Sequence, residues 1–97
     1  MQPSFQALMS NTVVQRFTVH ARCELRIEIG EAEAFVTVTE GTAEIFGATV
    51  QLHRRLRLVH SKIAIFTYDG CSVTLEGMPA ESPYVVSFSY ARQSAWH

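Results

Sequence analysis

Lys62-Ile63-Ala64-Ile65-Phe66-Thr67-Tyr68-Asp69-Gly70-Cys71-Ser72-Val73-Thr74-Leu75-Glu76 is the most strongly patterned stretch of this chain. Its first seven residues are rich in β-formers, and residues 72–76 alternate polar with apolar, the period of a strand with one buried face. Asp-Gly between two strand-like runs is the strongest short hairpin signal present, so residues 72–76 are expected to pair back on residues 62–68.

Upstream, Glu40-Gly41-Thr42-Ala43-Glu44-Ile45-Phe46-Gly47 sets a short apolar segment between two glycines. It reads as a turn, a strand of about four residues and a second turn. The glycines mark positions where a Cβ would obstruct a neighbour, or a tight corner. Within the segment Ala43 and Ile45 point one way, and Thr42, Glu44 and Phe46 the other. An acid beside a phenylalanine on one strand face suits a surface that meets something.

Residues 24–29 alternate cleanly, with Leu25, Ile27 and Ile29 on the buried face and Glu24, Arg26 and Glu28 on the exposed one. Further strands are expected at 13–19, 35–39, 49–52, around Leu56 and Leu58, and at 84–89. About nine short strands with turn signals every 8 to 12 residues, and no convincing helical period, predict an all-β fold: a small antiparallel β-sandwich of eight or nine short strands. Leu25, Ile27, Ile45, Ala64, Phe66 and Val73 are the expected core. Residues 1–12 read as a flexible arm and 13–90 as the sandwich domain.

The 97 residues suffice for one domain with a modest core. A 47% hydrophobic and 18% charged composition is that of a folded domain rather than a disordered chain. A formal charge of −1 offers no bulk attraction to nucleic acid or anionic membrane. No apolar run reaches the roughly 18 residues of a membrane-spanning helix, and residues 1–10 do not read as a secretory signal. Cys23 and Cys71, far apart and without a CxxC or HxxxH partner spacing, are expected to be unlinked thiols of a reducing compartment and not metal ligands.

Catalytic constellations are lacking. There is no GxxxxGK[ST] loop to cradle phosphates and no GxSxG nucleophile setting. Arg54, Arg55, Arg57, His60 and Lys62 gather half of the chain's eight Lys and Arg and one of its four His. They read as a charge-guarded edge, or as a contact for phosphate or an acidic partner.

Three blocks carry a resemblance. Cys23-Glu24-Leu25-Arg26-Ile27-Glu28, the EGTAEIFG segment at 40–47, and Lys62-Ile63-Ala64-Ile65-Phe66-Thr67-Tyr68-Asp69-Gly70-Cys71 resemble, in order and spacing, the amino-terminal domain of the Clp family. This is the polyribonucleotide 5′-hydroxyl kinase and pre-mRNA cleavage complex subunit. The resemblance implies a β-sandwich, non-catalytic by itself, that packs on a P-loop kinase domain of the same chain and helps hold the adenine of ATP. Residue by residue it points to Glu24 and Lys62 as the nucleotide contacts, both at strand starts and expected to converge at one end of the sandwich. It further implies cleavage complex subunits as partners, RNA met indirectly through the parent protein, a nuclear setting, and a linker to the kinase domain beginning at 91–97. Ala48-Thr49-Val50, Leu56 and Ser89-Tyr90-Ala91 depart from the family pattern, as in a divergent member. The alternative is an independent β-sandwich module that binds protein, RNA or sugar through the basic edge from Arg54 to Lys62.

Overall fold

The computed structural model describes residues 13–87. The arm at 1–12, the end of the last expected strand and the linker at 91–97 lie outside them. Alternating residues along the chain produce nine strands: β1 Val14–Val19, β2 Cys23–Ile29, β3 Ala34–Gly41, β4 Glu44–Ile45, β5 Ala48–Thr49, β6 Leu56–Leu58, β7 Ser61–Thr67, β8 Cys71–Glu76 and β9 Tyr84–Ser87. They form an antiparallel sandwich, one sheet ordered β1-β8-β3-β6 and the other β5-β4-β7-β2-β9.

Among the described residues the chain changes sheet at every connection except one. Of the described strands only β4 and β5 form a hairpin, closed by Phe46 and Gly47, both at positive φ (53° and 80°) as a two-residue turn of type I′ requires. The Asp69-Gly70 turn is therefore not a hairpin: β7 pairs with β2 and β4, whereas β8 pairs with β1 and β3. The corner is fixed by Thr67, a buried polar side chain. Its hydroxyl donates to the Thr42 carbonyl at 2.7 Å and accepts from the Gly70 N–H at 2.8 Å.

The same choice relocates two expected core residues. A two-residue hairpin would set Phe66 opposite Val73 on one face, whereas the crossover turns Ile63, Ile65 and Thr67 inward and leaves Ala64 and Phe66 half-exposed on the outside. Both faces of β7 are apolar, so its own alternation does not decide. Its neighbours do. In register, Ile65 lies beside Leu25 and Ile45, and Ile63 beside Ile27, whereas Ala64, Phe66 and Lys62 lie beside Arg26, Glu24 and Glu28. Burying the first set encloses only aliphatic surface. Leu25, Ile27 and Val73 are in the core as expected, and Ile45 packs against it.

The expected strand at 49–52 is shorter. β5 ends at Thr49, after which the Val50 N–H bonds the Ala43 carbonyl and the His53 N–H the Val38 carbonyl, drawing the chain back toward the other sheet.

Candidate functional site

The two outer faces of the sandwich differ in kind. On the four-stranded sheet the outward side chains are mostly polar, half-buried to exposed, and the ion pairs among them are solvated. Arg55 lies over the Phe35 ring, 3.6 Å from its centroid, and reaches Glu76 at 2.9 Å, while Arg57 reaches Glu33 at 2.6 Å. On the five-stranded sheet, register places Thr49, Glu44, Phe66, Glu24 and Val86 in one row facing away from the core. Ala64, Arg26 and Tyr84 form the next row, and Lys62 with Glu28 the one after.

Within this face Glu24 and Arg26 stand two residues apart on β2 and so point the same way. The Arg26 Nε donates to Glu24 Oε2 at 2.6 Å, and the two side chains are only 10% and 9% exposed. Burial pulls the Arg26 pKa down, but hydrogen bonds to Glu24 and to Tyr84 outweigh it and hold the guanidinium above its ordinary value. Phe66, next to Glu24 across the ladder, meets Tyr68 edge-on with ring centroids 4.6 Å apart. Covering an ion pair this closely costs desolvation. The outer face of a plain solvated sheet does not do it.

Glu24 and Lys62 share this outer face but not one end of it. β2 and β7 are antiparallel, so their starts lie at opposite ends: Glu24 faces Phe66, and Lys62 faces Glu28. Four residues along the strand put them about 13 Å apart. Glu24 is buried, against the expectation of an exposed strand residue, and Lys62 is exposed. Phe46 is not beside Glu44 on a strand face but at the hairpin tip, 83% exposed. The acid-and-phenylalanine surface exists nonetheless, made across strands by Glu44, Phe66 and Glu24.

The basic group does not act as one patch. Arg55 and Arg57 are taken up by Glu76 and Glu33, and His53 and His60 occupy left-handed turn positions. Sequence reasoning missed Arg26 as the covered partner of Glu24, and Tyr68 and Tyr84 as exposed aromatics beside the pair. The available signal was the Glu-x-Arg spacing on the polar side of β2, combined with a second apolar side on β7.

Residues 18–95 match the family described as the N-terminal beta-sandwich domain of polyadenylation factor. A relative from Nematostella vectensis, named Protein CLP1 homolog, is 37% identical over 73 residues, which cover 72% of this chain and 17% of that protein. One of the same name from Culex quinquefasciatus is 44% identical over 59 residues, covering 58% and 14%. Among solved structures, a chain from the wild-type Clp1p–Pcf11p (454–563) complex superposes with a TM-score of 0.71 at 14% identity, over 84% of this chain and 20% of that one. A second, from work on the extended Pcf11p–Clp1p interface and ATP loss in a point mutant, gives 0.67 at 14% identity, over 77% and 18%. The structural likeness shows the sandwich fold. The chain spans less than a fifth of the length of the curated relatives it matches.

Proposed function

The chain belongs to the family of N-terminal β-sandwich domains of the Clp1 polyadenylation factor, and from that membership we propose a non-catalytic accessory domain of a polyribonucleotide 5′-hydroxyl kinase and pre-mRNA 3′-end cleavage factor subunit. In this role the outer face of the five-stranded sheet packs on a P-loop kinase domain and contacts the adenine of ATP. The observation that carries the reading is the Glu24–Arg26 pair, nearly covered on a face that has no second layer among the described residues.

Arg26 holds one carboxylate oxygen of Glu24. The other has lone pairs to accept from an adenine exocyclic amine. Lys62 lies too far along the strands to touch Glu24 directly, and its proposed role is to cover the ring face with its four-carbon stem while the charge stays hydrated. The two side chains thus bracket a ligand instead of clasping each other. Cleavage complex subunits are the proposed partners, RNA is met through the parent protein, and the setting is the nucleus. The names of the structural neighbours, complexes of Clp1p with Pcf11p, support the partner assignment.

The test is a chimera in which this chain replaces the matched segment of the Nematostella relative. Glu24→Gln and Lys62→Ala should each weaken ATP binding. Loss of a charge-assisted hydrogen bond, about 1.5–3 kcal/mol, corresponds to roughly 10-fold or more in Kd. The maximal rate should change little, the pattern of lost uniform binding. Replacing Arg54 and Arg55 together should leave ATP affinity unchanged. The opposite pattern would remove the nucleotide assignment.

A further inference from the structure

The sandwich is open along one side. Among the described residues β5 ends the five-stranded sheet and β6 ends the four-stranded one, and between these edges runs a groove of about 360 Å³. Ile45, Val50 and Leu56 line it, packed against the core yet still partly exposed. Ala48 and Arg54 line it from exposed positions. Phe46, 83% exposed, crowns the hairpin that carries Ile45 and Ala48. Apolar surface left uncovered beside unpaired strand edges is what an added strand would cover.

Charge indicates the occupant. From residue 45 to residue 68 the chain contains no Asp or Glu, but it contains Arg54, Arg55, Arg57 and Lys62. Arg55 and Arg57 are neutralised by Glu76 and Glu33 on the outer face of the neighbouring sheet. Arg54, at the groove, makes no ion pair among the described residues.

We propose that this groove binds an extended peptide carrying an aliphatic or aromatic anchor next to Asp or Glu, with the anchor between the two sheets and the carboxylate on Arg54. The volume lies at the lower end of those that hold ligands, about 300–1,000 Å³, and suits side chains of one segment rather than a folded surface. A nucleic acid fits less well: the lining is mostly apolar, Arg54 is its one cation among the described residues, and phosphate binding draws its affinity from several. The assignment is independent of the nucleotide face, which lies on the outside of the five-stranded sheet.

Short random peptides displayed on phage, panned on this chain and counter-selected on its Ala48→Arg variant, supply the test. Enriched sequences should combine an apolar anchor with a neighbouring Asp or Glu. In fluorescence anisotropy with the synthesised peptide, Ala48→Arg, which fills the groove, and Arg54→Glu, which reverses its charge, should each weaken binding at least about 10-fold. Both positions are exposed, so melting temperatures should hold; if one variant unfolds, the other still decides. Enrichment of basic peptides, or none that Ala48→Arg removes, would overturn the proposal. So would oligouridine binding abolished by Arg54→Glu, or a dimer in sedimentation velocity that Ala48→Arg dissolves, since RNA or a second copy would then be the occupant.

Discussion

Glu24 and Arg26 are covered together, and neither is innocuous alone. With side chains 9% and 10% exposed, losing one partner leaves the other charge poorly solvated. Glu24→Leu or Arg26→Leu alone should therefore destabilise the domain by about 3 kcal/mol, whereas the two together should cost far less, because the double change removes both desolvation penalties. Urea midpoints of the two singles and the double, read as a cycle, measure the coupling. A near-additive cycle would show the pair to be solvated. Cys71 supplies a second test. Burial is the main influence on its thiol and raises its pKa, opposed by a hydrogen bond with Thr67. The folded state thus favours the neutral thiol. Its contribution is complete below the unfolded value, about 8.5, and is lost as pH rises through the folded one. As pH rises above the unfolded value, the wild type should lose more stability than Cys71→Ala. Equal slopes would count against a buried thiol. Of these features, alternation showed Glu24 and Arg26 only as exposed polar residues of a strand, because their cross-strand neighbours on β7 and β9 are set by pairing.

At the scale of elements, the two glycines of the 40–47 segment do different jobs. At Gly41, φ is 81°, and a Cβ there would collide with the Gly70 carbonyl oxygen and sit 2.8 Å from the Cys71 Cα. At Gly47, φ is 80° and nothing lies within 4 Å. Gly47→Ala should cost about 1–2 kcal/mol, the penalty of a left-handed backbone for an L residue. Gly41→Ala should cost distinctly more, since the β3 to β8 ladder must also shift. Thermal and urea melts of the two variants rank them, and equal losses would mean that the clash relaxes freely. Phe46, at φ 53°, is a poor residue for its turn. Phe46→Asn should gain up to about 1 kcal/mol, and a loss would reveal packing of its ring. Both roles of glycine were legible in the spacing. Which glycine plays which was not, because the obstruction at Gly41 is backbone from the β7–β8 corner, some thirty residues away.

For the molecule as a whole, a chain that changes sheet at seven of the eight connections among its described strands joins few strands to their sequence neighbours. Non-local pairing pays loop-closure entropy before contacts reward it. Refolding should accordingly take milliseconds to seconds, as for all-β domains of high contact order. Stopped-flow refolding in microseconds would contradict the topology. Strand positions, the all-β class and the inward side of β2 follow from the sequence by itself, because alternation with period 2 is a local property and Leu25, Ile27 and Ile29 admit only one buried side. The partner of each strand, the inward side of β7, the separation of Glu24 from Lys62 and the open groove beside β5 and β6 were decided only by the tertiary structure. A strand apolar on both faces takes its orientation from whatever it pairs with, and Asp-Gly turns a chain without specifying whether the next strand stays in the sheet or crosses the core.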